Sequence, residues 1–324
     1  MRKAFITGIS GQDGSYLAEF LLSKNYEVHG LVRLVAFENP DERFSRISHL
    51  LADKKIILHH GEVTDLATIW RLISQIKPDE IYHLAAQSQI KVSFEDEFGT
   101  FRTNTDSTHY LLAAIKDLNP DTKFYFAATS EMFGRVKDSP QNENTPFNPV
   151  SPYAVSKLVS YYLTRMYRED YKIFACSGIL FNHESPRRGF EFVTRKITST
   201  AVRIKLGLEK ELKLGRLEAR RDWGFAGDYV EAMWLMLQQV QPEDFVIGSG
   251  ETHTIQELVE IVFGALDLDW RKYVVIDPAF VRSPEKIEIK ADITKAKTKL
   301  CWSPKIQFKE LVRMMVKEDL KRVR

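Results

Sequence analysis

The first apolar run of the chain, Ala4–Ile6, leads into the stretch Thr7-Gly8-Ile9-Ser10-Gly11-Gln12-Asp13-Gly14. Three glycines stand here at intervals of three, and a helical pattern begins at the last of them. A glycine turn between a first strand and a first helix lets the backbone approach a pyrophosphate, and the helix N-terminus supplies amide donors. The stretch therefore predicts a dinucleotide site at the start of an α/β fold.

The first half of the chain alternates between short apolar runs and helical patterns. The runs that we interpret as strands are Ala4–Ile6, Val28–Val32, Ile56–Leu58, Ile81–Leu84, Phe124–Ala128 and Ile173–Leu180. The helical patterns are Gly14–Ser23, Leu66–Ile76, Thr103–Leu118 and a helix that begins at Pro152 behind Ser151. This alternation predicts a doubly wound parallel sheet of the Rossmann type.

The pattern becomes less regular after Asn182. A helical pattern over Phe192–Leu206 and scattered short strands predict a smaller C-terminal α/β domain that binds the substrate. We therefore expect a dinucleotide domain over residues 1–180, to which a segment near 222–250 returns. The substrate domain is expected to take most of residues 181–324.

The composition excludes several classes of protein. The 324 residues include 46 basic and 44 acidic ones, spread along the chain, and the net charge of +2 argues against a nucleic-acid-binding surface. No stretch is long and apolar enough for a membrane span, and the first apolar run is too short for a signal peptide. The two cysteines, Cys176 and Cys301, lack metal-ligand spacing. We expect a cytoplasmic protein with reduced thiols and no metal site.

The end of the second strand indicates which dinucleotide binds. An NAD site usually has an acidic residue there, whereas this chain has Arg33, a cation that suits the 2′-phosphate of NADP. Ligands of open α/β sheets bind at the carboxyl ends of the strands, so the segments after the third and fourth strands are further candidates. These segments contain Glu62 and Val63, and Leu84-Ala85-Ala86-Gln87-Ser88.

Two pairs of residues carry the candidate chemistry. Tyr153 and Lys157 lie four residues apart, on one face of a helix. A lysine ammonium favours the phenolate form of a neighbouring tyrosine, and a phenolate beside a nicotinamide can remove a proton from a sugar hydroxyl. Thr129 and Glu131 follow the fifth strand. The carboxylate of Glu131 can take the proton next to a newly formed ketone, so that water is eliminated after oxidation.

Several stretches carry a family resemblance. They are Gly8–Leu17, His83–Ser88, Val92–Glu95, Thr129–Gly134, Ser151–Ala154, Leu180–Gly189, Phe192–Ile197 and Arg221–Gly224. In these stretches the chain resembles the extended short-chain dehydrogenases/reductases that act on nucleotide sugars, and among them the GDP-mannose 4,6-dehydratase family. The stretch Asn182-His183-Glu184-Ser185-Pro186-Arg187-Arg188-Gly189 is the most specific to that family.

The resemblance implies a hydro-lyase that converts GDP-D-mannose to GDP-4-dehydro-6-deoxy-D-mannose, with tightly bound NADP that is regenerated in each cycle. Tyr153 is then the base for the C4 hydroxyl, and Lys157 assists it and holds the nicotinamide ribose. Thr129 hydrogen-bonds the sugar near C4, and Glu131 acts at C5 and C6. The implied cofactor-binding residues are Gly8 through Gly14, Arg33, Glu62, Val63, Leu84 through Ser88, Tyr153, Lys157, His183 and Arg188. The implied substrate-binding residues are Ser88, Asn182, Val193, Lys196, Arg221, Arg282 and Glu285.

The chain departs from this family's pattern after the second strand, where Leu34 replaces a common second arginine. A homodimer or homotetramer is implied by the resemblance. Three alternative functions remain open. A dTDP-glucose-type 4,6-dehydratase typically has an aspartate where this chain has Ser130, a nucleotide-sugar 4-epimerase needs no carboxylate at Glu131, and a non-catalytic NADP-binding protein commonly lacks Tyr153 or Lys157.

Overall fold

Seven parallel strands form the central sheet of the computed structural model, which describes residues 1–33, 44–280 and 288–323. All strands of the described part are β1 (Lys3–Thr7), β2 (Glu27–Val32), β3 (Ile56–His60), β4 (Glu80–His83), β5 (Lys123–Thr129), β6 (Ala175–Leu180), β7 (Asn182–Glu184), β8 (Leu212–Leu214), β9 (Arg220–Arg221), β10 (Trp223–Phe225), β11 (Phe245–Ile247), β12 (His253–Thr254) and β13 (Val274–Ile276). The order in the central sheet is β3-β2-β1-β4-β5-β6-β11, and all neighbours run parallel. The prediction of a doubly wound parallel sheet is confirmed.

Helices cover the sheet. They are α1 (Gln12–Ser23), α2 (Ser48–Ala52), α3 (Leu66–Ile76), α4 (Ile90–Glu95), α5 (Glu97–Phe101), α6 (Ser107–Leu118), α7 (Pro152–Asp170), α8 (Val193–Lys205), α9 (Ala226–Leu237), α10 (Ile255–Gly264), α11 (Thr294–Lys299) and α12 (Phe308–Val323). The helix α1 packs against α9, and α6 packs against α3 and α7. Among the residues described here, no helix combines the length and apolar character needed to cross a membrane.

Local sequence explains where the helices begin. The Asp65 carboxylate accepts hydrogen bonds from the amides of Ala67 and Thr68, which caps α3. The Ser151 hydroxyl accepts a hydrogen bond from the Ala154 amide at 3.1 Å, and Pro152 occupies the first turn of α7. The cap at Ser151 therefore fixes the start of the helix that carries the tyrosine and the lysine.

One helical pattern is interrupted in the structure. The sequence predicts one helix over Thr103–Leu118, whereas residues Arg102–Asp106 form a π turn and α6 begins at Ser107. The carbonyl of Asn104 accepts hydrogen bonds from the hydroxyls of Thr108 and Ser160. Side-chain donors from two helices therefore bind one carbonyl of the π turn.

A second apolar cluster lies beside the central sheet. It is formed by side chains of α8, α10 and α12 together with β8, and includes Ile197, Leu258 and Val312. The short strand β11 lies in the central sheet beside β6, although its sequence comes after β8, β9 and β10. The parallel pair β7–β10 joins the end of β6 to the second cluster. The candidate cofactor and substrate residues named from the sequence therefore lie where the carboxyl ends of the central strands meet this second cluster.

Two glycines offer a matched test of close packing at the first turn. A Cβ on Gly14 would overlap the carbonyl oxygen of Gly8, whereas a Cβ on Gly264, the last residue of α10, would meet no atom within 4 Å. We expect Gly14→Ala to destabilise the protein by about 1–3 kcal/mol because of overpacking. Gly264→Ala should be neutral or stabilise it by up to about 1 kcal/mol. Midpoints of urea unfolding measure both effects, and equal midpoints would contradict this packing argument.

Candidate active site

The glycine turn after β1 brings the backbone into close approach with β4. Gly8 has a φ of +77°, which favours glycine, and a Cβ there would lie 2.9 Å from the amide nitrogen of Ala85. The Gly11 amide donates to the Gly8 carbonyl at 3.0 Å, and no side chain caps the start of α1. The glycine turn over Gly8–Gly14, called the glycine cradle below, leaves the first-turn amides of α1 uncovered by side chains. These amides fit a pyrophosphate.

An ion pair joins this turn to the segment after β6. The His183 Nε2 lies 2.8 Å from Oδ2 of Asp13, and its Nδ1 lies 2.7 Å from the carbonyl oxygen of Phe181. Both partners are acceptors, so both ring nitrogens act as donors and the imidazole is protonated. Burial, the largest single influence, lowers the pKa of His183, but the charge of Asp13 and the hydrogen bonds to Asp13 and Phe181 together outweigh it and the pKa is raised. Burial alone would raise the pKa of Asp13. The contact with His183 lowers it, and the pKa of this carboxyl group lies below its ordinary value.

Ser185, which the sequence did not single out, and Gln12 strengthen this junction. The Ser185 hydroxyl donates to Oε1 of Gln12 at 2.8 Å, and the Gln12 amide group donates to the carbonyl of His183 at 3.1 Å. Gln12 was predicted to bind the cofactor, whereas its side-chain amide bonds to the protein itself. Only the proximity in space of residues about 170 positions apart in the chain reveals the partnership with Ser185.

Arg187 and Arg188, in the loop after β7, have different partners. Arg187 contacts α1, where its guanidinium bonds to Ser15 at 3.0 Å, pairs with Glu19 at 2.5 Å and lies over the ring of Tyr16. Arg188 lies 3.1 Å from Oε2 of Glu184 and is close enough to lower the pKa values of both Asp13 and Tyr153. Arg188, which the sequence analysis preferred as the cofactor ligand, is therefore the arginine that faces the site.

Tyr153 lies near both functional residues that follow β5. Burial raises the pKa of its phenol to about 12, the charge of Glu131 adds to that rise, and a hydrogen bond with the Thr129 hydroxyl opposes it. The Thr129 Oγ1 also accepts a hydrogen bond from the amide of Glu131 at 3.3 Å. Thr129, Glu131 and Tyr153 thus form one constellation at the carboxyl end of β5.

The sequence predicts that Lys157 is a charged ammonium beside the phenol of Tyr153, whereas its environment in the structure favours the neutral amine. Burial lowers its pKa to about 7, and its Nζ donates to the carbonyl of Ala127 at 2.9 Å, beside the ring of Phe126. In the protein alone, the hydrogen bond that favours the phenolate of Tyr153 therefore comes from Thr129. The sequence spacing placed Lys157 correctly on the helix, but it could not show that a carbonyl of β5 would bind the amine.

Asn104 in the π turn fixes the segment after β4. Its side chain donates to the carbonyl of Gln87 at 3.1 Å and to the Ser156 hydroxyl at 2.9 Å, and accepts from the Gln87 amide at 2.8 Å. Asn104 thereby ties the predicted cofactor segment Leu84–Ser88 to α7. Asn104 could not be recognised from the sequence, because it lies within an apparently regular helical pattern.

A small cavity brings three predicted residues of the sugar site together. Its walls include Glu131, Asn182 and Arg221, together with Ser130, Phe181, Asp222 and Ile289. The buried Asp222 carboxylate accepts from the amides of Ser249, Gly250 and Ala291 at 2.7 to 3.1 Å. These bonds hold the segment that carries Arg221. Glu131 belongs both to the cavity and to the group of residues formed by Thr129, Glu131 and Tyr153.

The remaining predicted residues surround this centre. Ser88 is exposed after β4, Arg33 is exposed at the end of β2, and Glu62 and Val63 follow β3. Val193 begins α8, and Lys196 of the same helix donates to the carbonyl of Lys213. Arg282 and Glu285 lie outside the described residues. The described residues contain no group of three or more His, Cys, Asp or Glu side chains arranged to hold a metal.

Comparison with known families agrees with this geometry. The family described as GDP-mannose 4,6 dehydratase matches residues 5–315 of the chain. The chain belongs to the GDP-mannose 4,6-dehydratase family. It is 50% identical to "GDP-mannose 4,6 dehydratase 1" of Arabidopsis thaliana, in an alignment that covers 98% of this chain and 89% of the plant protein. It is 46% identical to the human protein named "GDP-mannose 4,6 dehydratase", with 99% of this chain and 92% of the human protein covered.

Solved structures with lower identity share the fold. The UDP-glucose 4-epimerase of Thermus thermophilus, solved with NAD, has a TM-score of 0.83 at 27% identity, and the alignment covers 98% of each chain. The dTDP-glucose 4,6-dehydratase of Bacillus anthracis, also solved with NAD, has a TM-score of 0.86 at 21% identity, with 99% of this chain and 97% of that one covered. The family thus shares its fold with both enzyme types that the sequence analysis left as alternatives.

The Asp13–His183 pair gives a direct test of the junction. We expect NMR titration to give the His183 imidazole a pKa above its ordinary value of 6.5. In Asp13→Asn the opposing carboxylate charge is lost, burial becomes dominant, and the pKa of His183 should fall below 6.5. His49, which is exposed, serves as the internal control. An unchanged set of titration curves in the variant would contradict the pairing.

Proposed function

We propose that this protein converts GDP-D-mannose to GDP-4-dehydro-6-deoxy-D-mannose, with NADP as a tightly bound cofactor that each cycle regenerates. The observation that carries this proposal is a carboxylate, Glu131, placed beside the phenol of Tyr153 in a chain of this family. An alcohol oxidation alone needs only the tyrosine. The carboxylate next to it supplies the acid–base group that an elimination of water requires.

Tyr153 removes the proton of the C4 hydroxyl. Its buried phenol has a pKa of about 12, so the phenolate needs stabilisation during this transfer. The Thr129 hydroxyl and the positive charge of Arg188 supply part of it, since both lower the pKa of Tyr153. A charged Lys157, whose pKa is about 7, adds a further cation on the same helix face when it is protonated.

Glu131 acts after C4 has become a ketone. The ketone acidifies the hydrogen at C5, and the Glu131 carboxylate takes that proton. The C5–C6 double bond then forms as the C6–O bond breaks, and the protonated Glu131 gives its proton to the departing hydroxide, which leaves as water. One carboxylate serves both atoms because they are neighbours on the sugar. A proton finally returns to C5, which balances the proton that Tyr153 removed from O4.

The cofactor site fits NADP. Bound NADP would supply the hydride acceptor for C4 and the hydride donor for C6, so no external reductant would be consumed. The glycine cradle at Gly8–Gly14 holds the pyrophosphate, and Arg33 at the end of β2 favours a 2′-phosphate. The segment Leu84–Ser88, which Asn104 ties to α7, and Lys157 would hold the nicotinamide ribose side.

The substrate assignment distinguishes this function from its relatives on the same fold. Ser130, between Thr129 and Glu131, lacks the carboxyl group with which a dTDP-glucose-type dehydratase protonates the leaving hydroxyl. Glu131 has no role in a 4-epimerase reaction. We propose that Asn182, Val193, Lys196 and Arg221 hold the GDP-sugar, and that Arg282 and Glu285 contribute from the segment outside the described residues.

Substitution of Glu131 tests the elimination step. We expect Glu131→Gln to lower turnover of GDP-mannose by at least about a hundredfold, because an amide can neither take nor give the proton. A partial reduction of bound NADP in a single turnover should remain, since Tyr153 is intact. Absorbance of NADPH and mass spectrometry of the sugar nucleotide measure the two steps.

Two further variants make this experiment specific. Glu169→Gln alters an exposed carboxylate that pairs with Arg165 on α7 and should leave turnover unchanged. Tyr153→Phe should abolish both NADP reduction and water loss. Normal turnover in Glu131→Gln would remove the role that we assign to Glu131, and loss of NADP reduction in that variant would show that the carboxylate serves the oxidation instead.

We propose that two copies associate through α7. Four apolar side chains, Val155, Val159, Tyr162 and Met166, are exposed along one stripe of this helix at intervals of four, three and four residues. Phe98 in the neighbouring α5 is 89% exposed. A stripe of this kind is typical of a helix that packs against a partner, and a second copy presents the same stripe.

A charge on this stripe tests the association. We expect Val159→Glu to give a monomer, because burying an unpaired carboxylate opposes the contact. Light scattering measures the mass. Arg71→Gln, at an exposed position of α3, should keep the assembly of the unaltered protein. A monomeric unaltered protein, or a Val159→Glu protein of unchanged mass, would contradict the proposal.

We also propose that the protein works in the reducing cytoplasm. Both cysteines are free in the structure, with Cys176 buried and Cys301 exposed. Burial raises the pKa of the Cys176 thiol, which keeps it in the unreactive protonated form. An exposed free thiol such as Cys301 suits a compartment in which disulfides do not accumulate.

A further inference from the structure

Arg46 lies between the glycine turn and the loop that follows β7. Its Nε donates to the carbonyl of Arg187 at 2.7 Å, and its NH1 donates to the carbonyl of Ser10 at 3.5 Å. Ser10 is the third residue of the glycine turn, counted from Gly8. The guanidinium of Arg46 therefore lies beside the glycine turn.

The charges around Arg46 favour an additional anion. Arg187, Arg188 and Arg322 are all close enough to disfavour its positive charge, and only Glu191 opposes them among its strongest influences. Each of these three arginines has a carboxylate within 4 Å, supplied by Glu19, Glu184 and Glu318 respectively. Among the residues that the structure describes, no carboxylate lies within that distance of Arg46, whose two hydrogen bonds go to carbonyls.

A half-buried guanidinium in such surroundings is costly without a counter-charge. The anions that a dinucleotide brings to the glycine turn are the pyrophosphate and, in NADP, the 2′-phosphate of the adenosine ribose. The amides at the start of α1 already serve the pyrophosphate. The 2′-phosphate of a bound NADP would lie near the end of β2, where the sequence has Arg33 followed by three apolar residues, Leu34, Val35 and Ala36.

We propose that Arg46 binds the 2′-phosphate and determines the preference of the protein for NADP over NAD. A planar guanidinium that reaches the glycine turn through the Ser10 carbonyl presents its remaining N–H groups to a phosphate with the geometry that such donors match best. This inference rests on the proposed function only in that the protein must bind a dinucleotide. It does not depend on which sugar nucleotide is converted.

A competing role for Arg46 is purely structural. Its bonds to the carbonyls of Ser10 and Arg187 fasten the glycine turn to the loop after β7. Loss of that connection would weaken NAD and NADP alike. A charge contact with the 2′-phosphate instead weakens only ligands that carry this phosphate, so the ratio of the two affinities separates the two roles.

Calorimetric titration with fragments of the cofactor tests the proposal. The probes are adenosine 2′,5′-bisphosphate and adenosine 5′-monophosphate, which differ only in the 2′-phosphate, followed by NADP and NAD. We expect Arg46→Gln to weaken the bisphosphate and NADP by roughly tenfold to a hundredfold, the range for loss of a charged hydrogen bond. Binding of the monophosphate and of NAD should change by less than about twofold.

Two companion variants keep the test interpretable. Arg46→Lys retains the charge with fewer donors, so it should keep part of the preference for the bisphosphate even if the glutamine variant folds poorly. Arg71→Gln removes an exposed arginine of α3 whose side chain bonds to Gln75, and it should bind all four probes as the unaltered protein does. Melting temperatures of all variants check that folding is preserved.

Equal weakening of all four probes in Arg46→Gln would overturn the proposal in favour of a structural role. Unchanged affinities would overturn it as well, and so would a lysine variant that loses as much preference as the glutamine variant. These titrations contain no sugar nucleotide. A protein that fails to convert GDP-mannose yet shows the expected affinity ratios would refute the proposed function while supporting the role of Arg46.

Discussion

The contact between Asp13 and His183 is the interaction on which the arrangement of the site depends. It joins the first turn of the chain to a strand 170 residues later, and Gln12 and Ser185 reinforce it with neutral hydrogen bonds. On one side of the contact lies the glycine cradle. On the other, the chain continues into Arg188 and α8. The cofactor cradle and the segment that carries the predicted substrate residues are thereby held as one unit, although they belong to different apolar clusters.

Burial sets the acid–base properties of the catalytic groups. It raises the pKa of Tyr153 to about 12 and lowers that of Lys157 to about 7, so both side chains are driven towards their neutral forms. A neutral phenol is a poor base, and the site compensates by local means. The Thr129 hydroxyl and the charge of Arg188 favour the phenolate, while Glu131 opposes it. The carboxylate thus makes the first proton transfer harder, and in the proposed function it serves the later elimination.

The sequence was most informative where structure is decided locally. The strands and the limits of α3 follow from short apolar runs and from the Asp65 cap, and the glycine turn is recognisable from spacing alone. Long-range partners were not accessible. Asn104 lies in a pattern that reads as ordinary helix, and its bonds to Gln87 and Ser156 exist only because β4 and α7 come together. Arg46 gave no signal either, since one arginine in a polar segment is unremarkable until the carbonyl of Ser10 is found beside it.

The most direct test of the account is turnover of GDP-mannose without added reductant, with dTDP-glucose and UDP-glucose in parallel, followed by mass spectrometry. The account predicts the loss of one water from GDP-mannose alone, with the cofactor unchanged at the end. Loss of water from dTDP-glucose or UDP-glucose in place of GDP-mannose would contradict the substrate assignment while leaving the chemistry of Glu131 intact. An unchanged mass for all three sugar nucleotides would contradict the central claim that this carboxylate and Tyr153 carry out a dehydration.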